Sequence, residues 1–93
     1  MKTRGLQEPA IDNRRFGSYL RRIRQERSLS LAAVEKMSHG WPERVTKSHL
    51  SRLENGQASP SFARVYTLSM IYGIPVSFLV DRFERCFEKR DED

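Results

Sequence analysis

Two short stretches of this chain open in the same way, and they constrain its folding more than any other feature. Leu29-Ser30 is followed by Val34, and Val45-Thr46 by Leu50, so each hydroxyl residue has an apolar residue before it and another four positions after it. A Ser or Thr hydroxyl at a helix start accepts from an amide that has no partner inside the helix. The flanking apolar pair then clamps the incoming chain onto the first turn, as a hydrophobic staple. Both stretches therefore read as helix starts. Helices that begin so close together must be short, and they can be stable only by burying their apolar faces against one shared core.

The rest of the sequence supplies that core. Helix spacing is predicted over about Arg14 to Arg27, with Phe16, Leu20 and Ile23 on one stripe and Asp12 or Asn13 as cap. Arg15, Arg21, Arg22 and Arg24 fall mostly off that stripe. The helix opened by Ser30 carries its apolar line to Met37 and ends at Ser38-His39-Gly40. Trp41-Pro42-Glu43-Arg44 reads as a connection, because a proline disfavours helical backbone in the residue before it. The helix opened by Thr46 points Leu50 and Leu53 inward and stops at Asn55-Gly56. A fourth is expected with Ser59 as cap, Pro60 as first residue, and Phe62, Val65, Leu68 and Tyr72 inward, ending at Gly73. A fifth starts near Pro75 or Val76 and carries Leu79, Val80, Phe83 and Phe87. No strand pattern competes. The expectation is an all-α, compact five-helix bundle within one domain of 93 residues. Residues 1–13 are expected to form a flexible arm, 14–80 the domain, and 81–93 a C-terminal helix extension with an acidic tail.

Composition narrows the function. No apolar run is long enough to span a membrane, and the N-terminus lacks the apolar core of a secretion signal. The single cysteine, Cys86, cannot form an internal disulfide, and a cytoplasmic location is expected. Such a cysteine reads as a small apolar residue on its stripe. His39 and His49 stand ten apart with no second cysteine, so no zinc spacing exists. No phosphate loop, nucleophile elbow or other catalytic grouping is found, so neither enzyme activity nor a cofactor or metal is expected. Residues 1–72 hold thirteen basic and six acidic side chains, a net of +7, whereas residues 73–93 carry −2. The front of the chain would attract a polyanion such as nucleic acid. Lys2 and Arg4 could enter a minor groove, or belong to an arm without function.

The segment from Thr46 to Asn55 is the richest in functional side chains. With Leu50 and Leu53 inward, Lys47, Ser48, His49, Ser51 and Arg52 are left on the outer surface, and all of them can hydrogen-bond. A helix of this kind fits the roughly 12 Å major groove, where Lys and Arg donate to guanine and Ser and His pair with base edges or phosphates. The helix start offers amides to phosphate as well. The same pattern also suits an ordinary solvated helix face, and these residues alone do not separate the two.

From Leu20 to Leu79 the chain resembles the Cro/repressor, XRE-type helix-turn-helix family. The residues that carry the likeness are Leu20 and Arg24, Leu29-Ser30, Ser51-Arg52-Leu53-Glu54-Asn55-Gly56 with Pro60 beyond, and the run from Ile71 to Leu79. The resemblance implies a lambda-repressor-like DNA-binding domain whose third helix reads double-stranded DNA. It matches Lys47, Ser48, Ser51 and Arg52 to base-facing sites. Thr46 and Asn55 match positions that hold the phosphate backbone, as do Ser30 and Leu31 through their amides, and His49 is added to these phosphate contacts. Arg24 and Glu54 match a bridge between helix 1 and helix 3, of little energetic weight if exposed. Three departures stand out: Leu31 where glutamine is frequent, Glu35 where a small alanine is frequent, and a segment from Ser38 to Val45 longer than the family's tight turn. Trp41 is expected to cover that longer connection. Val80, Phe83 and Phe87 extend the last stripe, suiting either a second copy of the chain or helix 1 of the same copy; the homodimer is preferred. The function expected is a sequence-specific transcriptional regulator, a repressor acting as a homodimer. The alternative is a protein-interaction module, such as an antitoxin subunit or adaptor, on the same fold.

Overall fold

Asp12 settles where the first helix begins: its carboxylate accepts from the Arg15 amide at 3.1 Å. In the computed structural model, which describes residues 12–86, five helices follow in order and no strand occurs among those residues. They are α1 (Asn13–Glu26), α2 (Leu31–Ser38), α3 (Lys47–Glu54), α4 (Phe62–Tyr72) and α5 (Val76–Arg85). The expected arm (but for Asp12 and Asn13) and acidic tail, Phe87 included, lie outside the described residues. None of the described helices is long and apolar enough to cross a membrane.

Both repeated helix starts form as the sequence dictates. The Ser30 hydroxyl accepts from Ala33 N–H at 3.0 Å and the Thr46 hydroxyl from His49 N–H at 3.1 Å. Val34, Val45 and Leu50 are fully buried, and Leu29 packs on the edge of the same core. The fourth helix starts later than expected. Ser61, not Ser59, is its cap, with the Ser61 hydroxyl accepting from Arg64 N–H at 3.2 Å. Pro60 therefore precedes the cap, and the Ser59 hydroxyl instead accepts from the Asn13 side chain at 3.2 Å. Starting at Phe62 turns Val65, Leu68 and Tyr72 inward and leaves Phe62 68% exposed, so Phe62 is not the core residue its spacing suggested. Met37 is likewise outside the core.

One core cluster joins all five helices through Phe16, Leu20 and Ile23 of α1, Val34 of α2, Leu50 and Leu53 of α3, Val65, Leu68 and Tyr72 of α4, and Leu79 of α5. Helix α1 packs on α3, α2 on α3 and α4, and α4 on α5. The close approach of α1 to the end of α3 depends on Gly17. A Cβ there would lie 2.6 Å from the Glu54 carbonyl oxygen and nearer still to that of Leu53. Both are backbone atoms and cannot move aside. At this same end of α3, Gly56 adopts φ +75°, its amide donates to Leu53 O at 3.1 Å, and the Gln57 amide donates to Arg52 O at 2.8 Å. These two bonds form a Schellman stop, and they explain why glycine follows Asn55.

Replacing Gly17 with alanine should force α1 away from α3. The expected cost is about 2 kcal/mol, read in a thermal melt as a fall of roughly 8–16 °C for a domain of this size. An unchanged melt would mean that the α1–α3 contact is looser than described.

Candidate nucleic-acid interface

Helix α3 is held from three sides. Leu50 and Leu53 anchor it to the core, and Glu54, in its last turn, is 3% exposed although it is a carboxylate. Arg24 satisfies that carboxylate with a two-pronged contact, Nε to Oε2 at 2.7 Å and Nη2 to Oε1 at 2.8 Å. The third Arg24 nitrogen, Nη1, donates to Leu29 O at 2.9 Å, so one guanidinium joins α1, the loop before α2 and α3. Arg21, one turn earlier on the same side of α1, adds Nε to Glu54 at 3.4 Å and Nη2 to Asn55 Oδ1 at 2.6 Å. The Glu54 hydrogen bond raises the pKa of Arg24 above its ordinary value, outweighing the opposing effect of burial. The bridge is buried, with the Glu54 side chain almost wholly out of water, so the small weight of an exposed pair does not apply to it.

The other end of α3 is fixed by the long connection from α2. Ser38 is fully buried, and its hydroxyl accepts from Val45 N–H at 3.0 Å while donating to Glu35 O at 2.7 Å. Thr67 of α4 donates to Glu43 O at 2.9 Å, and Arg64 reaches the Glu43 carboxylate at 3.5 Å. Within this connection Arg44 Nη2 lies 3.0 Å from His39 Nε2, and Trp41 is half-buried. Glu35, unusual for its position by resemblance, has a task of its own: its carboxylate accepts from the Lys47 amide at 2.8 Å. Two amides at the start of α3 are thus taken by groups of the protein, Glu35 on Lys47 N–H and Thr46 on His49 N–H.

Between these anchors α3 presents its outer face. Lys47, Ser48 and Arg52 are exposed and Ser51 is half-exposed, so all four candidate base-reading residues reach the surface together. Arg52 makes one weak internal contact, Nη2 to Gln57 O at 3.4 Å. Asn55 is exposed, with its carbonyl oxygen taken by Arg21. Ser30 and Thr46 spend their hydroxyls on their own helix starts, and the Leu31 side chain packs on the core. His49 is only half-exposed. Burial, with Arg64 and Arg52 adding to it, pushes its pKa below the usual 6.5, so the ring is neutral near pH 7. The contacts of Arg21, Ser38 and Thr67 escaped the sequence reading, and Glu35 stood out there only as a departure, without its task. Arg21 carried a signal as well, three residues before Arg24 on the same helix face.

Phe83 lies edge-on to Phe16 of α1 with ring centroids 5.3 Å apart, which gives this aromatic a place within its own chain. With Val80, Pro60, Phe62 and Val65 it lines an apolar groove of about 140 Å³.

A short helix, buried on one side, pinned at both ends and carrying polar side chains outward, within five packed helices, defines a helix-turn-helix domain. The helix-turn-helix family profile HTH_3 matches residues 20–79. The chain is similar to the DNA-binding domain of BldD, with 32% identity over 73% of this chain and 92% of that one and a TM-score of 0.62. Its fold is shared with ClgR, the clp gene regulator of Corynebacterium glutamicum (22% identity, 85% of this chain and 78% of that one, TM-score 0.65). An HTH_3 family transcriptional regulator from Vibrio cholerae has 22% identity over 80% of this chain and 39% of that one, with a TM-score of 0.64. No curated protein sequence matches it. The chain belongs to the XRE-type helix-turn-helix family, a family of DNA-binding transcriptional regulators and not of enzymes.

Two outcomes follow from the buried groups. Arg24→Ala strands the Glu54 carboxylate with only Arg21 beside it, and should cost about 3 kcal/mol or more in urea unfolding. Replacing both partners with apolar residues, Arg24→Met with Glu54→Leu, should recover most of that loss. Because His49 binds a proton less readily folded than unfolded, its contribution is complete above about pH 6.5 and is lost as pH falls through the window below. His49→Gln should flatten that part of the melting-temperature profile between about pH 5 and 7. Parallel profiles for the two proteins would remove His49 from the account.

Proposed function

We propose that the chain is a sequence-specific DNA-binding regulator whose segment 46–55 enters the major groove. Lys47, Ser48, Ser51 and Arg52 read bases in this proposal. Ser30 and Leu31 meet the phosphate backbone through the start of α2, and Thr46, His49 and Asn55 meet it along α3. The observation that carries the reading is that Lys47, Ser48 and Arg52 are exposed and Ser51 half-exposed on a helix whose other side is locked by Leu50, Leu53 and the Arg24–Glu54 contact. Rigid presentation matters because base contacts discriminate only when the side chain cannot drift to another edge. The 32% identity with a domain named for DNA binding supports the same reading.

The protein acts as a homodimer in the cytoplasm, on paired half-sites about 34–36 Å apart, which a two-fold axis reads naturally. The groove that Val80 shares with Phe62 and Phe83 is the surface favoured for the second copy; Phe87, the third residue of that stripe in the sequence, lies outside the described residues. Repression is the sense proposed, since a small domain seated on DNA excludes other proteins from the same base pairs. The exposed Phe62 and Phe78 give one specific reason to keep a second reading, a protein-binding module on this fold.

Selection from a random duplex pool should recover one motif. On that motif Arg52→Ala should lose about 1–3 kcal/mol of affinity and relax preference at one base pair. Binding should also weaken steeply with salt, through release of counterions. A uniform loss on every sequence would demote Arg52 to a phosphate contact, and a pool that yields no motif would favour the protein-binding reading.

A further inference from the structure

The arginines that α3 does not use gather elsewhere. Arg14, Arg15 and Arg22 of α1 and Arg82 and Arg85 of α5 line one open depression of about 530 Å³, with Tyr19 in its wall. Residues 15, 19 and 22 lie on the side of α1 turned away from Gly17, Arg21 and Arg24, which face α3. Arg14, packed against Gly56 at the end of α3, marks the near edge of the depression, and the rest of it faces away from the surface proposed to read DNA.

Its charge is unbalanced. The Asp12 carboxylate, also at the rim, is engaged as the α1 cap, and Asp81 pairs with Arg85 at 3.1 Å. Among the described residues, Arg14, Arg15 and Arg22 have no ion-pair partner. Arg82 is held with its guanidinium 4.5 Å over the Tyr19 ring, fixing one cation in the wall. Five guanidiniums brought together repel one another unless anions enter among them, and forked guanidinium donors suit carboxylate or phosphate groups.

The chain supplies such anions at the right place. Cys86 is both the last described residue and part of the wall. The sequence then continues Phe87-Glu88-Lys89-Arg90-Asp91-Glu92-Asp93, with four carboxylates in residues 88–93. Glu88 stands two residues past the wall and Asp93 seven, and seven residues span up to about 25 Å when extended. A tether that short gives the carboxylates an effective concentration in the millimolar range.

We propose that the acidic segment 88–93 docks in cis onto this arginine depression. Docked there, it occupies guanidiniums that would otherwise attract any polyanion, and so restrains non-specific adhesion to nucleic acid. The proposal does not depend on how α3 reads DNA.

The test compares the full chain with the variant E88Q/D91N/E92Q/D93N, which leaves every described contact in place. Arginine Nε–H resonances are followed by NMR without DNA. The expected result is a shift confined to Arg15, Arg22, Arg82 and their neighbours at low salt. That shift should vanish at about 1 M salt, where the screening length is about 3 Å, and should not change on roughly tenfold dilution. The variant should also bind a random duplex on the order of threefold more tightly at low salt. Identical arginine spectra for the two proteins would overturn the proposal. So would a shift that fades on dilution, which would place the segment on a second copy, or arginine resonances that answer to added duplex and not to the segment.

Discussion

A carboxylate without access to water organises this domain. Glu54 closes α3 from inside the protein, and its charge is tolerable only because Arg24 grips both of its oxygens and Arg21 adds a third contact. The consequence is geometric as much as energetic. Arg24 also holds Leu29 O, so the guanidinium sets the distance between α1, the entrance to α2 and the end of α3. Gly17 allows that distance to be short, because any side chain there would meet the α3 backbone. The surface of α3 is thus oriented by contacts on its hidden side, and no outward-facing residue is needed to keep it in place.

The parts legible in the sequence were those governed by neighbours along the chain. Ser30 and Thr46 cap their helices because the amide they serve is three residues away, and Asn55-Gly56 stops α3 because glycine reaches positive φ cheaply. Where two local solutions competed, the sequence did not choose. Ser59 and Ser61 are both able caps, and the selection of Ser61 follows from Asn13 taking the Ser59 hydroxyl and from Val65, Leu68 and Tyr72 turning inward together. The Arg24–Glu54 partnership was visible through family resemblance, but its burial was not, since burial depends on the approach of α1 allowed by Gly17. The contacts of Glu35, Ser38 and Thr67 were illegible for the same reason. Each serves a backbone group distant in sequence, brought near only by the fold.

The long connection between α2 and α3 shows how a departure from a short turn is accommodated. A longer loop would ordinarily loosen the angle between the helices it joins. Here the Ser38 hydroxyl bridges both ends of the segment, and Thr67 ties its middle to α4, so the added residues are fastened to the core instead of hanging from it. Glu35 completes the arrangement by reaching the first amide of α3, a contact that a small alanine could not make.

The Glu35 contact changes how charge is arranged around α3. A helix start normally offers amide hydrogen bonds and a partial positive charge to phosphate, but in this protein Glu35 brings a negative charge to that place. Attraction to a polyanion must then come from side chains, from Lys47 and Arg52 on α3 and from the surplus of arginine on α1, more than from the backbone. Side-chain cations are more adaptable than helix amides and less selective in what they attract, since each carries a full charge that acts over a Debye length. A protein that moves its attraction from amides to arginines gains reach and loses discrimination, and Arg15 and Arg22, on the side of α1 turned away from α3, carry that cost most plainly. The docking proposed for segment 88–93 would remove the indiscriminate part of that field and leave the α3 surface untouched.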